Sequence, residues 1–259
     1  MKLTTAPNVF WISFIPSFNW PSNCNNVSMT TPPILILGMH RSGTSCLAGQ
    51  LEEAGVWLGE VRRASPHNAK GNRENPAIWS LNEAVLRANG AAWDRPPGNP
   101  VNWSAAQRAE RDRILAQFPS GEVWGFKDPR TLFTLDGWRE VLPDARLIGT
   151  LRHPLAVARS LQARSQMPLN QGLTLWTAYN RRLLDLVHSE AFPIVSFDQS
   201  AADYKADTGR LISELGLDLP SGQAGFFDDG LRHHNISDEG NLPPETAAMY
   251  AALQEMAAE

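Results

Sequence analysis

The chain predicts an α/β fold of three layers, a mostly parallel central sheet flanked by helices. Three observations lead there. Short apolar runs such as ILIL (34–37) alternate with longer segments of helical spacing. Strand and helix patterns interleave along most of the chain instead of segregating into blocks. Polar clusters follow where the apolar runs stop, at 38–45, at Lys127 to Arg130, at Arg152 and at Asp198, and in open α/β sheets ligands bind at that edge.

Taken in order, ILIL is too short and too uniformly apolar for a surface helix and reads as a buried strand. Thr44 to Ala54 has helical spacing through Leu47 and Leu51. Residues 55–75 read as a long loop. Asn75 and Pro76 are suited to cap and open a helix to Ala88, with Ile78, Leu81, Val85 and Leu86 on one side. A breaker-rich loop covers 93–102, and Ser104 with Gln107 forms a capping-box pattern ahead of a helix over 105–117. EVWGF (122–126) reads as a strand ending at Lys127, and 136–142 as a short helix. ARLIGTL (145–151) is a strand, after which Pro154 opens a helix to about Ala163. A long helix covers 172–189, a strand 193–197, a helix 211–217 stopping at Gly216, and a final Ala-rich helix 243–258. Trp79 and Trp176 read first as core residues.

No flexible linker divides the chain after residue 33, so 34–259 is expected to be a single domain behind a lead-in of residues 1–33. The apolar run at 9–18 is cut by Pro16 and falls short of the roughly 20 residues that span a bilayer. Of the basic region, apolar run and small-residue cleavage site of a secretory leader, only Lys2 and part of the apolar run are present. A natural start at Met29 is one reading of this segment, and a weak membrane-surface anchor is another. The composition, 42% apolar and 19% charged with a formal net charge of -4, is that of an ordinary globular protein and argues against a general nucleic-acid binder. Of the two cysteines, Cys46 falls in a helix and reads as a small buried residue. With no paired metal-ligand spacing and no disulfide framework, the chain points to a reducing, cytoplasmic setting.

The chemistry is concentrated in GMHRSGTS (38–45). Gly38 and Gly43 permit a tight turn with inward amides, and the following helix offers its free N-terminal donors to an anion. His40, Arg41, Ser42, Thr44 and Ser45 add side-chain groups. A nucleotide-binding loop of the usual pattern carries Lys after its second Gly. Here Thr44 stands in that place, and Arg41 is the available cation. A second anchor is TLRHPLAVARS (150–160), with Arg152 just past a strand, Pro154 opening a helix and Ser160 on it. Two separated anchors fit a ligand with phosphates at two places.

Together these motifs resemble the sulfotransferase superfamily, which uses 3'-phosphoadenosine 5'-phosphosulfate (PAPS). The sequence is most similar to bacterial-type members, which share the GMHRSGTS form and a KDPR motif, here Lys127 to Arg130. The resemblance runs over about 33–235 in order of elements. It implies a P-loop NTPase-like sulfotransferase fold and sulfuryl transfer to a hydroxyl or amine by in-line displacement, with no metal. It implies that the first loop holds the 5'-phosphosulfate. Arg152 and Ser160, eight positions apart as in the family, would take the 3'-phosphate. Arg41 matches the loop Lys that meets the leaving phosphate. Arg232, in GLRHHN (230–235), is the match for a late basic loop over the 3'-phosphate and adenine.

In-line transfer needs charge stabilisation and a destination for the acceptor's proton. Arg41 and Lys127 are the candidate stabilisers. Glu74, His67, His40 and Asp128 are the candidate bases, and Asp128 could instead orient Lys127 or Arg130. Pro129 stands where many cytosolic members carry a His, so a His-based pattern does not carry over. NAKGNRENP (68–76) resembles the NPKGYWE stretch of bacterial members and favours Glu74. A helix-start carboxylate is also favourable there through the dipole alone. Trp57, Arg62, Arg63, Trp93 and Arg95 suit a small-molecule or glycan acceptor carrying some negative charge. Oligomeric state is open, a homodimer included. The competing readings are a P-loop kinase using ATP and Mg2+, disfavoured by Thr44, and a non-catalytic binding protein on the same fold.

Overall fold

The structure is a computed structural model describing residues 31–62, 70–98, 100–219, 226–227 and 242–258. Four strands, β1 (Ile34–Leu37), β2 (Gly125–Lys127), β3 (Arg146–Leu151) and β4 (Ile194–Ser196), form one parallel sheet in the order β2-β1-β3-β4. Among the described residues, the helices between and after them are α1 (Thr44–Glu53), α2 (Pro76–Ala88), α3 (Ala105–Leu115), α4 (Thr131–Arg139), α5 (Pro154–Ser165), α6 (Leu169–Ser189), α7 (Ala201–Glu214) and α8 (Pro244–Ala258).

β1 shows why the strands are apolar throughout. Alternate side chains point to opposite faces, and both faces are covered. Ile34 and Ile36 pack with Ile148 and Val195 against Leu47 and Leu51 of α1 and Tyr204 and Leu211 of α7. Leu35 and Leu37 face the larger layer, with Val85 of α2, Trp138 of α4, Trp176, Tyr179 and Leu183 of α6 and Leu253 of α8. The result is the expected three-layer α/β arrangement. Each fully buried Leu or Ile contributes about 1.5–3 kcal/mol relative to exposure, so a charge anywhere in β1 is excluded. Because β2 lies on one side of β1 and β3 on the other, the chain reverses its winding direction at β1. The loop after β1 opens into the crevice that such a reversal creates.

Several elements differ from expectation for identifiable reasons. The EVWGF strand is paired in the sheet only from Gly125. Before it, Trp57 borrows the edge: its N–H donates to the Val123 carbonyl (2.9 Å) and its carbonyl accepts from Gly125 (3.1 Å). α4 begins at Thr131, five residues before the expected start. Thr131 N donates to the Asp128 carbonyl and Phe133 N to that of Arg130, both at 2.9 Å, so the polar DPR turn leads straight into the helix. α7 begins at Ala201, ten residues early. Ser200 caps it by accepting from Asp203 N (3.1 Å), and Tyr204, Thr208, Leu211 and Ile212 form its buried face. α3 ends two residues before the expected 117, and α6 begins three residues before 172. Cys46 is half-buried. Trp79 is not a core residue: it is partly exposed, with the Arg62 guanidinium 4.9 Å and the Arg130 guanidinium 5.3 Å from its ring centroid. Among the described residues no helix is long and apolar enough to cross a membrane.

Candidate active site

The loop between β1 and α1 depends on two glycines. Gly38 has φ +147, and a Cβ there would lie 2.2 Å from Thr150 Oγ1. Gly43 has φ +92, and a Cβ would lie 2.5 Å from the Phe197 ring. Both positions therefore need the absence of a side chain as well as the backbone freedom of glycine. Arg41 adopts φ 68 between them, an uncommon conformation for a residue with a Cβ. The N-terminus of α1 has no side-chain cap and no acidic residue in its first turn. Its positive end is thus left to the crevice.

The loop hydroxyls are engaged. Ser42 Oγ donates to the Met39 carbonyl (2.7 Å) and lies 2.8 Å from Thr150 Oγ1. Ser45 Oγ donates to the Asn72 carbonyl (3.0 Å), tying α1 to the segment that leads to Glu74. Thr44 is buried and sets its methyl group beneath Gly38. In this loop the threonine at the usual lysine position is a packing residue.

The second anchor meets the first. Arg41 Nε donates to Ser160 Oγ at 2.8 Å across 119 residues, and Arg152 Nη1 donates to the Arg41 carbonyl at 3.1 Å. Arg152 is in turn held by its surroundings. Trp176 Nε1 donates to its carbonyl (2.9 Å), its guanidinium lies 5.2 Å from the Phe197 ring centroid, and its Nε stands 4.0 Å from Asp198 Oδ1. Asp198 also accepts from the backbone N–H of His153. Burial pushes its carboxyl up, against the pull of that bond and of Arg152. Burial, with Arg164 and Arg152 nearby, pushes Arg41 down to about 10. It stays protonated at neutral pH, and its like-charged neighbours make the spot favourable for an anion.

On the other side of β1, at the end of β2, stands a buried ion pair. Lys127 Nζ donates to Glu74 Oε1 at 2.8 Å, and the side chains are 1% and 10% exposed respectively. Glu74 immediately precedes the Asn75 cap of α2, whose Oδ1 accepts from Ala77 N (3.0 Å) and Ile78 N (3.3 Å). Asp128 does not pair with Lys127 in this arrangement. Its Oδ1 accepts from Arg130 N (3.1 Å) and Nη1 (2.9 Å), and its Oδ2 accepts from Asn82 Nδ2 (3.0 Å). Burial raises its carboxyl above the ordinary value while Arg130 opposes the shift. Burial likewise works against the charge of Arg130, but Asp128 and Glu83 hold it protonated.

Sequence reasoning missed the group that sets this corner. Asn82 is fully buried. It donates to Asp128 and Thr131, and its Oδ1 accepts from Thr134 Oγ1 (2.8 Å) and Trp138 Nε1 (2.9 Å). A polar residue on the apolar face of α2, beside Ile78, Leu81 and Val85, was the available signal. Thr150 and Phe197, which shape the loop from β3 and from the end of β4, carried no such mark.

His40 packs its ring against Trp93 and Tyr179, at 5.0 and 5.7 Å between centroids. His67 and Arg232 lie outside the described residues. Among the described residues no group of His, Cys, Asp and Glu is arranged to hold a metal ion. The donors gathered at the loop after β1 (two arginines, a serine and a helix N-terminus) suit an anion.

Comparison with known proteins gives the family and the fold. Residues 32–221 match the family described as "Sulfotransferase family", and the chain belongs to that family. No curated protein sequence matches it. Among solved structures, the sulfotransferase domain of the Synechococcus PCC 7002 olefin synthase is similar with a TM-score of 0.56 at 18% identity, covering 92% of this chain and 98% of its own. The sulfotransferase domain from the curacin biosynthetic pathway gives 0.51 at 14%, covering 87% and 99%. A sulfotransferase from Alicyclobacillus acidocaldarius gives 0.50 at 15%, covering 89% and 97%. At these identities the likeness is one of fold.

Proposed function

We propose that this protein transfers a sulfuryl group from PAPS to a hydroxyl or amine acceptor. The observation that carries the proposal is the junction of the two anchors, Arg41 on Ser160 and Arg152 on the Arg41 carbonyl. It brings the loop after β1 beside a second cationic position, so that one ligand phosphorylated at two places could meet both. Arg152 and Ser160 would hold the 3'-phosphate. Gly38 to Ser45 would hold the 5'-phosphosulfate with backbone amides, since Ser42 and Ser45 already spend their hydroxyls inside the protein. When bound, PAPS supplies a sulfuryl group activated by its bond to phosphate.

The chain's own residues would do the rest. Arg41 and Lys127 offset the negative charge that grows on the leaving phosphate oxygen. Glu74 takes the acceptor's proton. The ion pair keeps Glu74 beside Lys127, and its Oε2 remains available to accept. Asp128 and Asn82 position Arg130 and do not take the proton, because both Asp128 oxygens are already engaged.

The test is calorimetric binding of adenosine 3',5'-bisphosphate, ADP and ATP with Mg2+. The bisphosphate is expected to bind without metal and about tenfold or more tighter than ADP, the worth of one charge-assisted contact to the 3'-phosphate. A preference for ATP with Mg2+ overturns the assignment in favour of phosphoryl transfer.

A further inference from the structure

The side chain of His40 has no part in holding the donor as described above, yet it is buried in the loop. It is 8% exposed. Trp93 and Tyr179 stand edge-on to it, and the Tyr179 hydroxyl is already spent, donating to the Trp93 carbonyl at 2.8 Å. The Nε2 of His40 is buried with no hydrogen-bond partner. A buried nitrogen left unpaired costs stability and is uncommon away from functional sites.

Its surroundings define what could pair with it. Burial first, then the charges of Arg130, Arg164, Lys127 and Arg41, keep the imidazole well below its ordinary protonation range. A neutral imidazole presents one N–H and one lone pair. That suits a hydroxyl or amine, which both donates and accepts. A phosphate or sulfuryl oxygen only accepts, and Arg41, Arg152 and Lys127 are the groups assigned to it above. The ring also has neighbours from the β2 side of the crevice, where Lys127 holds Glu74.

We propose that His40 is an acceptor-contacting residue, its Nε2–H donating to the oxygen or nitrogen that attacks sulfur and holding it in line with the leaving phosphate, so that the acceptor's own proton stays directed at Glu74. This rests on the sulfotransferase reading above. The O–H or N–H bond of the acceptor breaks as its bond to sulfur forms. The proton goes to Glu74, and the bond from sulfur to the bridging oxygen breaks with its electron pair on the phosphate.

His40→Gln and His40→Phe test it, with water and 4-nitrophenol as the acceptors. Binding of adenosine 3',5'-bisphosphate to the wild type is measured first, by calorimetry. No binding means that the sulfotransferase reading has failed, and the proposal falls with it. Given binding, both variants are expected to hold the bisphosphate within about twofold of wild type. Release of the bisphosphate from PAPS is then followed. His40→Phe should lower kcat about tenfold or more at an unchanged KM for PAPS, with partial recovery in His40→Gln, whose amide can still hydrogen-bond. Unchanged turnover in His40→Phe overturns the proposal. So does a parallel loss of donor affinity and turnover, which would return His40 to the donor pocket. A wild type that binds donor yet turns over with neither acceptor contradicts catalysis at this site altogether.

Discussion

Removing either partner of the Glu74–Lys127 pair should cost more than removing both together would suggest. At 2.8 Å and an effective dielectric of about 20, the gross attraction is about 6 kcal/mol. Withdrawing both groups from water costs a comparable amount, so the pair contributes little net stability. The asymmetry appears on mutation. Glu74→Gln leaves the ammonium of Lys127, 1% exposed, without a counter-charge, and about 3–5 kcal/mol of stability should go. Lys127→Met leaves Glu74, 10% exposed, which can still reach water, and about 1–3 kcal/mol is expected. The double variant leaves no unpaired charge. It should be more stable than the sum of the single losses predicts, by about 2 kcal/mol or more. Urea unfolding at pH 7 measures this as midpoint shifts at constant m. Turnover should be lost in all three proteins, because rescue of the fold does not restore the proton acceptor or the cation. Additive single losses, within about 0.5 kcal/mol, would show that the pair does not form in solution, and would remove the basis for placing Glu74 at the reacting centre.

Two further outcomes follow from the site. Arg152→Ala should weaken binding of adenosine 3',5'-bisphosphate about tenfold or more and leave ADP binding nearly unchanged by calorimetry; equal losses for both would move Arg152 away from the 3'-phosphate. His40 supplies a pH signature of stability. Its folded form resists protonation while the unfolded chain protonates near the ordinary value of 6.5. Below that pH the unfolded state binds more protons, so stability is full above about pH 6.5 and falls as pH drops, with a limiting slope on the order of 1 kcal/mol per unit. Urea midpoints at pH 7.5, 6.5 and 5.5 should show this slope reduced in His40→Gln, and an identical slope would mean that the ring is not held neutral.

Much of the fold was legible in the chain because its signals are local. ILIL followed by GMHRSGTS reads as strand, anion loop and helix from apolar run, glycine spacing and helix periodicity alone. Asn75-Pro76 and the Ser104–Gln107 box mark their helices through caps a few residues long, and the observed bonds match. Where polar residues sit on a buried face the local signal weakens. Thr208 in α7 donates to the Tyr204 carbonyl (2.8 Å) and accepts from Gln50 Nε2 (3.0 Å), so a satisfied core position reads in sequence as an exposed one. Likewise the DPR turn, with its proline, conceals the start of α4.

By itself, then, the sequence determined the parallel α/β order and the glycine-flanked turn between β1 and α1, because each depends on neighbours within about a dozen positions. The tertiary structure alone decided their relations. Arg41 reaches Ser160 across 119 residues and Lys127 reaches Glu74 across 53. Asp128 is drawn to Arg130 and Asn82, and the His40 ring comes to lie between Trp93 and Tyr179. The physical reason is that a buried charge or hydrogen-bonding group must find its partner wherever packing places one. The sheet order β2-β1-β3-β4, which brings the ends of distant strands to a single crevice, sets which partners are within reach.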